Sequence, residues 1–320
     1  MKTYQIPNTD LTVSRLAYGT WHMGGSWDFT PLSAELKERA NHLILTAVDH
    51  GINHIDLADI YTRGKSDEAV GYALAQNPGL RQKLVLQAKV GIIIPTGDDP
   101  GYYNFEYDHI VSAVEGTLRR LGTDYVDLLA LHRPDPLFEP AEVARALDHL
   151  HQSGKVRYFG VSNHNAAQIA LLQKHVDQPL VLNQLELNIL HHFLISDGVV
   201  VNNTAVPYTA GTGTLDYCRL HDMIIQAWSP VAGGKLFNQQ AAAENERAVA
   251  NLIHQLASQY QTTPEAIAVS WLLRHPAPIQ PIIGTLNADR LGHTVPADTV
   301  ELTRIEWYRL LAAARGAGVP

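Results

Sequence analysis

Leu84-Val85-Leu86-Gln87-Ala88-Lys89 and Val126-Asp127-Leu128-Leu129-Ala130-Leu131-His132 are short, largely apolar runs, and each finishes on an ionisable residue. Asn53-His54-Ile55-Asp56 precedes them and ends in the same way. Segments of this length and composition read as buried β-strands. Apolar strands that each end on a polar group predict a parallel sheet presenting its chemistry at the carboxyl edge. The acid of Asp56, the amine of Lys89, the imidazole of His132 and the phenol of Tyr61 would gather there.

Outward from these runs, helical and strand patterns alternate. A first helix is expected from about Thr30-Pro31, with Leu36, Ala40, Leu43, Ile44, Ala47 and Val48 on one face and Gly51 as a left-handed cap. A helix from about Ser66 carries Asp67 and Glu68 in its first turn, as the helix dipole favours. Ile110, Val111, Val114, Leu118 and Leu121 mark a helix closed by Gly122; Val143, Leu147 and Leu150 mark one closed by Gly154. Further strands read at Leu16-Ala17-Tyr18-Gly19-Thr20, Tyr158-Phe159-Gly160-Val161-Ser162, Leu180-Val181-Leu182-Asn183-Gln184, 223–228 and 279–283. Thr262-Thr263-Pro264-Glu265 has capping-box spacing and opens the helix before the last strand. Thr3-Tyr4-Gln5-Ile6 and Leu11-Thr12-Val13 read as a hairpin ahead of all this.

Eight strand–helix units in about 300 residues fit an α/β chain folded as a (β/α)8 TIM barrel with an N-terminal β-hairpin, one domain over residues 1–320. The rival, a doubly wound open sheet, would carry a glycine fingerprint after its first strand. Gly19-Thr20-Trp21-His22-Met23-Gly24-Gly25 lacks that spacing. Residues 91–107 and 198–214 read as long loops, the second as an insertion.

Composition narrows the function. The chain has 320 residues and a formal net charge of -8, so no cationic excess argues for nucleic acid. Cys218 is the single cysteine, which excludes an intrachain disulfide and favours a reducing, cytoplasmic setting; it lies in an ordinary helical pattern. No apolar stretch is long enough to predict a membrane span. The chain has 16 histidines, but His191-His192 is the one adjacent pair and no strand carries the alternating histidines of a metallohydrolase, so no metal is expected.

The four edge residues suit proton donation to a carbonyl. Lys89, held charged by Asp56, would lower the pKa of the Tyr61 phenol, and His132 would add a hydrogen bond. Hydride must come from a nicotinamide cofactor, since no side chain donates one. Singly, each residue has a structural explanation: a cap, a packed aromatic, a core histidine. Their convergence on one face makes the functional case.

Gly51-Ile52-Asn53-His54-Ile55-Asp56-Leu57-Ala58-Asp59-Ile60-Tyr61, Leu128-Leu129-Ala130-Leu131-His132-Arg133-Pro134 and Gly154-Lys155-Val156-Arg157-Tyr158-Phe159-Gly160-Val161-Ser162-Asn163 resemble three signatures of the aldo-keto reductase family. The resemblance runs in order from Gly19 to about Arg290. Ala227-Trp228-Ser229-Pro230-Val231-Ala232-Gly233-Gly234 and the ending Gly318-Val319-Pro320 are similar to its bacterial YdhF-like branch. It implies NADPH-dependent, reversible carbonyl reduction, with Asp56, Tyr61, Lys89 and His132 as the catalytic tetrad and Tyr61 as general acid. It implies that Ser162, Asn163 and Gln184 bind the nicotinamide carboxamide and that Trp228 stacks on the ring. Ser229, Pro230, Val231, Gly233 and Gly234 would wrap the pyrophosphate. Gly19, Thr20, Trp21 and Asp56 would complete the cofactor's surroundings, and Gly284, Thr285 and Arg290 would meet the adenosine 2′-phosphate.

Many family members carry Lys where this chain has Gly284, and Glu and Asn where it has His293 and Thr294, which leaves NADH open beside the preferred NADPH. Trp21, Trp27, Tyr61 and His132 are expected around the substrate, with Tyr102 or Tyr103 from the 91–107 loop. The expected partner is a small carbonyl compound, the assembly a monomer or weak homo-oligomer. An alcohol or sugar dehydrogenase would use the same residues; a regulatory subunit on the same barrel, binding NADPH tightly and turning over slowly, is the other alternative.

Overall fold

The computed structural model describes residues 1–98, 100–200 and 212–318. Alternation of side chains along each strand decides which residues enter the barrel and which meet the helices. The hairpin comes first: β1 (Thr3–Gln5) pairs antiparallel with β2 (Thr12–Ser14). The barrel strands are β3 (Ala17–Gly19), β4 (His54–Asp56), β5 (Val85–Val90), β8 (Val126–Leu131), β9 (Val156–Ser162), β10 (Leu180–Glu186), β11 (Ile224–Trp228) and β12 (Ile279–Ile283). They pair in parallel, in chain order, and β12 returns to β3 to close the cylinder. Between β5 and β8, a two-stranded ribbon of β6 (Ile92–Ile93) and β7 (Tyr102–Tyr103) occupies the loop expected at 91–107. The fold is thus a (β/α)8 barrel with an N-terminal hairpin.

Eleven α-helices follow in chain order among the described residues. They are α1 (Ala34–Asp49), α2 (Lys65–Gln76), α3 (Tyr107–Leu121), α4 (Pro140–Gln152), α5 (Ala166–Gln173), α6 (Phe193–Val200), α7 (Thr214–Leu220), α8 (Glu244–Gln259), α9 (Pro264–Leu273), α10 (Ala288–Thr294) and α11 (Arg304–Arg315). Two expected starts shift. α1 begins after Ser33, whose hydroxyl accepts from the Leu36 N–H, and not at Thr30-Pro31. α9 is capped by Thr263, which puts Ala266 at the third position, so the Thr262…Glu265 box does not form. A serine or threonine further along caps the helix equally well by accepting from its own third residue's N–H, and spacing alone does not choose between candidates. Of the insertion read at 198–214, residues 201–211 lie outside the described residues, as do Val319 and Pro320 of the quoted ending.

Two apolar clusters hold the fold. The larger lies between strands and helices. The smaller fills the barrel's lower end, where Ile6, Leu11 and Val13 of the hairpin pack on Val85, Leu128, Val181, Leu182 and Ile224. Above this plug the interior turns polar, and that change of layer places the site.

The α2–α3 contact depends on a missing side chain. A Cβ on Gly71 would stand 2.3 Å from the Arg120 carbonyl oxygen and 3.0 Å from the Leu121 Cα. Gly71→Ala gains about 1 kcal/mol of helix propensity, yet it must push two backbones apart, which costs about 1–3 kcal/mol. Net destabilisation is expected, read as a lower urea midpoint with an unchanged slope; an unchanged or higher midpoint would show that the helices separate freely.

Candidate active site

Inside the barrel, Gln87 and Lys89 project from β5, His54 and Asp56 from β4, Gln184 from β10 and Gln226 from β11. All are buried. Lys89 is fully enclosed, and its Nζ lies 2.5 Å from Asp56 Oδ1. That oxygen also accepts from Gln184 Nε2 at 2.8 Å and from Gln87 Nε2 at 3.2 Å. A carboxylate oxygen saturated by donors, one of them an ammonium, fixes both members of the pair.

Tyr61 follows β4 on a short turn, Tyr61–Gly64, where Thr62 has φ 47° and Arg63 φ 60°. Left-handed backbone at two consecutive non-glycine residues is strained and persists only where the surroundings enforce it. The enforcing contacts are present. Arg63 Nε donates to the Trp27 carbonyl at 2.8 Å, and its guanidinium lies 4.4 Å from the Phe29 ring centroid. Ser66 Oγ donates to the Thr20 carbonyl at 2.8 Å and accepts from the Gly24 N–H at 3.3 Å. The turn brings the Tyr61 ring over Lys89, with Nζ 4.9 Å from the ring centroid. The His132 and Trp21 rings stand 5.9 Å and 5.0 Å from it, both edge-on.

The electrostatics differ from expectation at the phenol. Burial, reinforced by the Asp56 and Asp59 carboxylates, holds Tyr61 well above the ordinary tyrosine value. The ammonium expected to lower it is neutralised by Asp56 and is itself pulled below its ordinary range by burial. Burial, then the Lys89 and Arg133 charges, push His132 well below the usual histidine range, so its imidazole is neutral. Its Nδ1 is buried without a partner among the described residues. Burial and then the neighbouring Asp67 raise Asp59 to about 7.

A cavity of about 1220 Å³ opens over this floor. Asp56, Tyr61 and His132 line it, as do Gly19 and Trp21. So do Ser162, Asn163, Gln184 and Trp228, the turn residues Ser229, Pro230, Val231, Gly233 and Gly234, and then Gly284, Thr285 and Arg290. Trp228 Nε1 donates to Asn163 Oδ1 at 3.2 Å, which pins the indole, and Asn163 Nδ2 donates to the His132 carbonyl at 3.1 Å. Thr20, Trp27, Tyr102 and Tyr103, expected around the cavity, are not in its lining. Thr20 is buried and gives its hydroxyl to the Asp56 carbonyl at 2.9 Å, supporting the floor from behind. Trp27 packs on Trp21, ring centroids 5.0 Å apart, and reaches the cavity only through it. Tyr102 and Tyr103 sit exposed on the ribbon, outside the lining.

The lining also takes in residues to which the sequence reading gave no role, among them His22, Arg133, Phe237 and His254. They come from the loops after β3 and β8, the turn ending at Phe237 and the body of α8, which only the closed barrel brings together; Arg133 lies inside the quoted 128–134 signature. Cys218 is buried, and burial pushes its thiol up to about 12. Among the described residues no cluster of metal-ligating side chains occurs and no helix is long and apolar enough to cross a membrane.

A sequence model of the aldo/keto reductase family matches residues 15–314. The chain is 38% identical over 275 residues to the oxidoreductase YdhF of Escherichia coli, covering 85% of this chain and 86% of that protein. It is 35% identical over 313 residues to a 6-dehydroglucose reductase of Agrobacterium fabrum, covering 97% of each. The solved structure of a glycerol dehydrogenase from Gluconobacter oxydans superposes with a TM-score of 0.81 at 26% identity, over 99% of this chain and 97% of that one. The chain belongs to the aldo/keto reductase family and is an NAD(P)H-dependent oxidoreductase of carbonyl groups.

Proposed function

We propose that the protein is an NADPH-dependent reductase of aldehydes and ketones in which Tyr61 is the proton donor. The observation that carries this reading is the enclosed Lys89–Asp56 pair beneath the Tyr61 ring, on the floor of the cavity. The cavity's volume, about 1220 Å³, exceeds that of an ordinary small-ligand pocket and suits a dinucleotide with a substrate beside it. When bound, the cofactor supplies the hydride.

The chain's own residues do the rest. Tyr61 is protonated at neutral pH, as an ordinary phenol already is and a raised one more so, and meets the carbonyl oxygen as an acid. Lys89, directly under the ring, favours the phenolate left behind once that proton has moved. Neutral His132 adds a hydrogen bond to the same oxygen. Ser162, Asn163 and Gln184 hold the carboxamide, Trp228 offers an indole face to the ring, and the Ser229–Gly234 turn meets the pyrophosphate. Thr285 and Arg290 face the 2′-phosphate, where a guanidinium pairs best with a dianion. Trp21, backed by Trp27, walls the substrate and suits small carbonyls with an apolar or aromatic part. The same groups run in reverse from an alcohol. The names of the similar proteins, a 6-dehydroglucose reductase and a glycerol dehydrogenase, favour polyols and their oxidised forms as one substrate class to test.

Tyr61→Phe removes the proton donor alone: reductive kcat should fall about 10²–10⁴-fold, with the NADPH dissociation constant nearly unchanged in a tryptophan-fluorescence titration. Wild-type turnover would remove Tyr61 from its role. Arg290→Ala should weaken NADPH by about tenfold or more and leave NADH little changed; equal losses would show that Arg290 does not read the 2′-phosphate.

The pH dependence follows from Asp59. Below about 7 it is protonated and neutral; above, its charge makes Tyr61 harder to ionise. Reductive kcat at saturating cofactor should therefore decline as pH rises through that value, and Asp59→Asn should flatten the decline. A decline that survives the substitution would belong to another group.

A further inference from the structure

Two arginines line the cavity, at opposite ends. Arg290 shares its end with a carboxylate: Glu265 opens α9, and its neighbour Thr263 donates a hydroxyl to the His293 carbonyl of α10. Arg133 stands at the other end, directly after His132. Burial is the chief cause of the shifts at His132 and Tyr61; the Arg133 charge adds to the first and opposes the second. Its guanidinium is therefore within Coulombic reach of both reacting side chains.

Half-buried, that guanidinium meets no carboxylate and no hydrogen-bond acceptor among the described residues. Arg15, Arg81 and Arg120, withdrawn from water in the same way, each meet an aspartate. The acids near Arg133 are already spent. Asp135, two residues on, accepts from the Leu137 N–H at 2.9 Å through Oδ1 and from the Phe105 N–H at 3.0 Å through Oδ2. Asp56 is held by Lys89, Gln87 and Gln184. The other groups on this wall, neutral His132, protonated Tyr61 and Trp21, carry no negative charge. A planar fork of N–H donors bearing a full charge thus faces the substrate's space with nothing to pair it. Hydroxyl groups would occupy its donors but leave its charge uncompensated. A single cation matches a monoanion, and no lysine lines the cavity to help balance a phosphate dianion.

Resting on the reductase reading given above, we infer that Arg133 determines specificity by pairing with a carboxylate on the substrate, so that the carbonyl compounds this site prefers are oxo acids, reduced to hydroxy acids. The chemistry at the carbonyl is unchanged: hydride arrives at the carbon and the Tyr61 proton at the oxygen. Arg133 anchors the far end of the same molecule. A bidentate pair there fixes orientation as well as charge, and it holds the carbonyl toward Tyr61 and His132.

The test measures kcat/KM with NADPH for glyoxylate, succinic semialdehyde and 4-carboxybenzaldehyde, which set the carboxylate at increasing distance from the carbonyl. Each is compared with its own methyl ester, and glyceraldehyde serves as a neutral hydroxylated substrate. In the wild-type protein at least one acid should exceed its ester by about tenfold, chiefly through KM. Arg133→Met keeps the stem and removes the charge, so that ratio should fall to within about threefold of one, whatever happens to the rate common to acid and ester. Arg133→Lys keeps the charge without the fork and should give a ratio between the two. A ratio unchanged in Arg133→Met would overturn the inference, because a merely structural role lowers acid and ester together. A larger loss for glyceraldehyde than for the acid would overturn it in favour of hydroxyl recognition. Wild-type ratios near one for all three pairs would overturn it without any variant, should Arg133→Met fail to fold. Wild-type protein that reduces none of these compounds, esters and glyceraldehyde included, would instead overturn the reductase reading beneath it.

Discussion

An ammonium with no exposure to water has no stable place in a protein unless a carboxylate meets it, and Lys89 is so enclosed. Its partner Asp56 lies on the neighbouring strand, and the parallel register that pairs Asp56 with Gln87 sets Lys89 one inward position higher. The pair is thus a product of barrel closure. Separating it would strand a buried charge at a cost of about 3–5 kcal/mol, so the strands on either side have little freedom to slip. The same pair gives Tyr61 its surroundings. A phenol resting over a neutralised ammonium stays protonated at rest and gains support when it ionises.

The turn that delivers Tyr61 works against local preference. Thr62 and Arg63 take left-handed backbone with no glycine to ease it. The bonds that hold them come from the segment after β3 and from the start of α2: the Trp27 carbonyl, the Thr20 carbonyl and Ser66. Thr20 also reaches back to Asp56. Floor and turn therefore share supports, and the strain at Thr62 and Arg63 is borne by contacts that also aim Tyr61. Gly24 fits this corner because a Cβ there would fall 2.2 Å from Thr62 Oγ1.

Much of this was legible in the chain. Strands ending on Asp56, Lys89 and His132 marked the chemical edge, because the inward face of a barrel strand carries its polar residue to the mouth. Eight units, and the glycines after α1, α3 and α4, marked the architecture. What stayed hidden depends on closure. Gln87, Gln226 and Gln280 each interrupt an apolar strand, and a lone mid-strand glutamine says nothing of its partner; only the cylinder joins residues as distant in sequence as Gln87 and Gln226. The direction of the Tyr61 shift was hidden for a similar reason. Sequence names the charges near a phenol but not its depth, and here depth is the larger cause. Thr20 and Trp27 fall behind the lining because the turn after β3 spends them on support.

The floor and the walls of the cavity are made from different material, and this separates what can vary from what cannot. The floor consists of strand side chains whose hydrogen bonds interlock, so each change there disturbs its neighbours. The far wall consists of turns and helix starts such as Ser229–Gly234 and the segment leading into α10, where Arg290 and His293 are exposed. A Cβ added at Gly284 would meet nothing within 4 Å. A side chain could be gained or lost at that position without repacking, even a lysine beside the phosphate-facing residues. On the proposed reading, preference between the two nicotinamide cofactors would be set where substitution is sterically free, and the proton chemistry where it is not. One barrel can change its cofactor or its substrate through the walls and keep the Lys89–Asp56–Tyr61 floor intact.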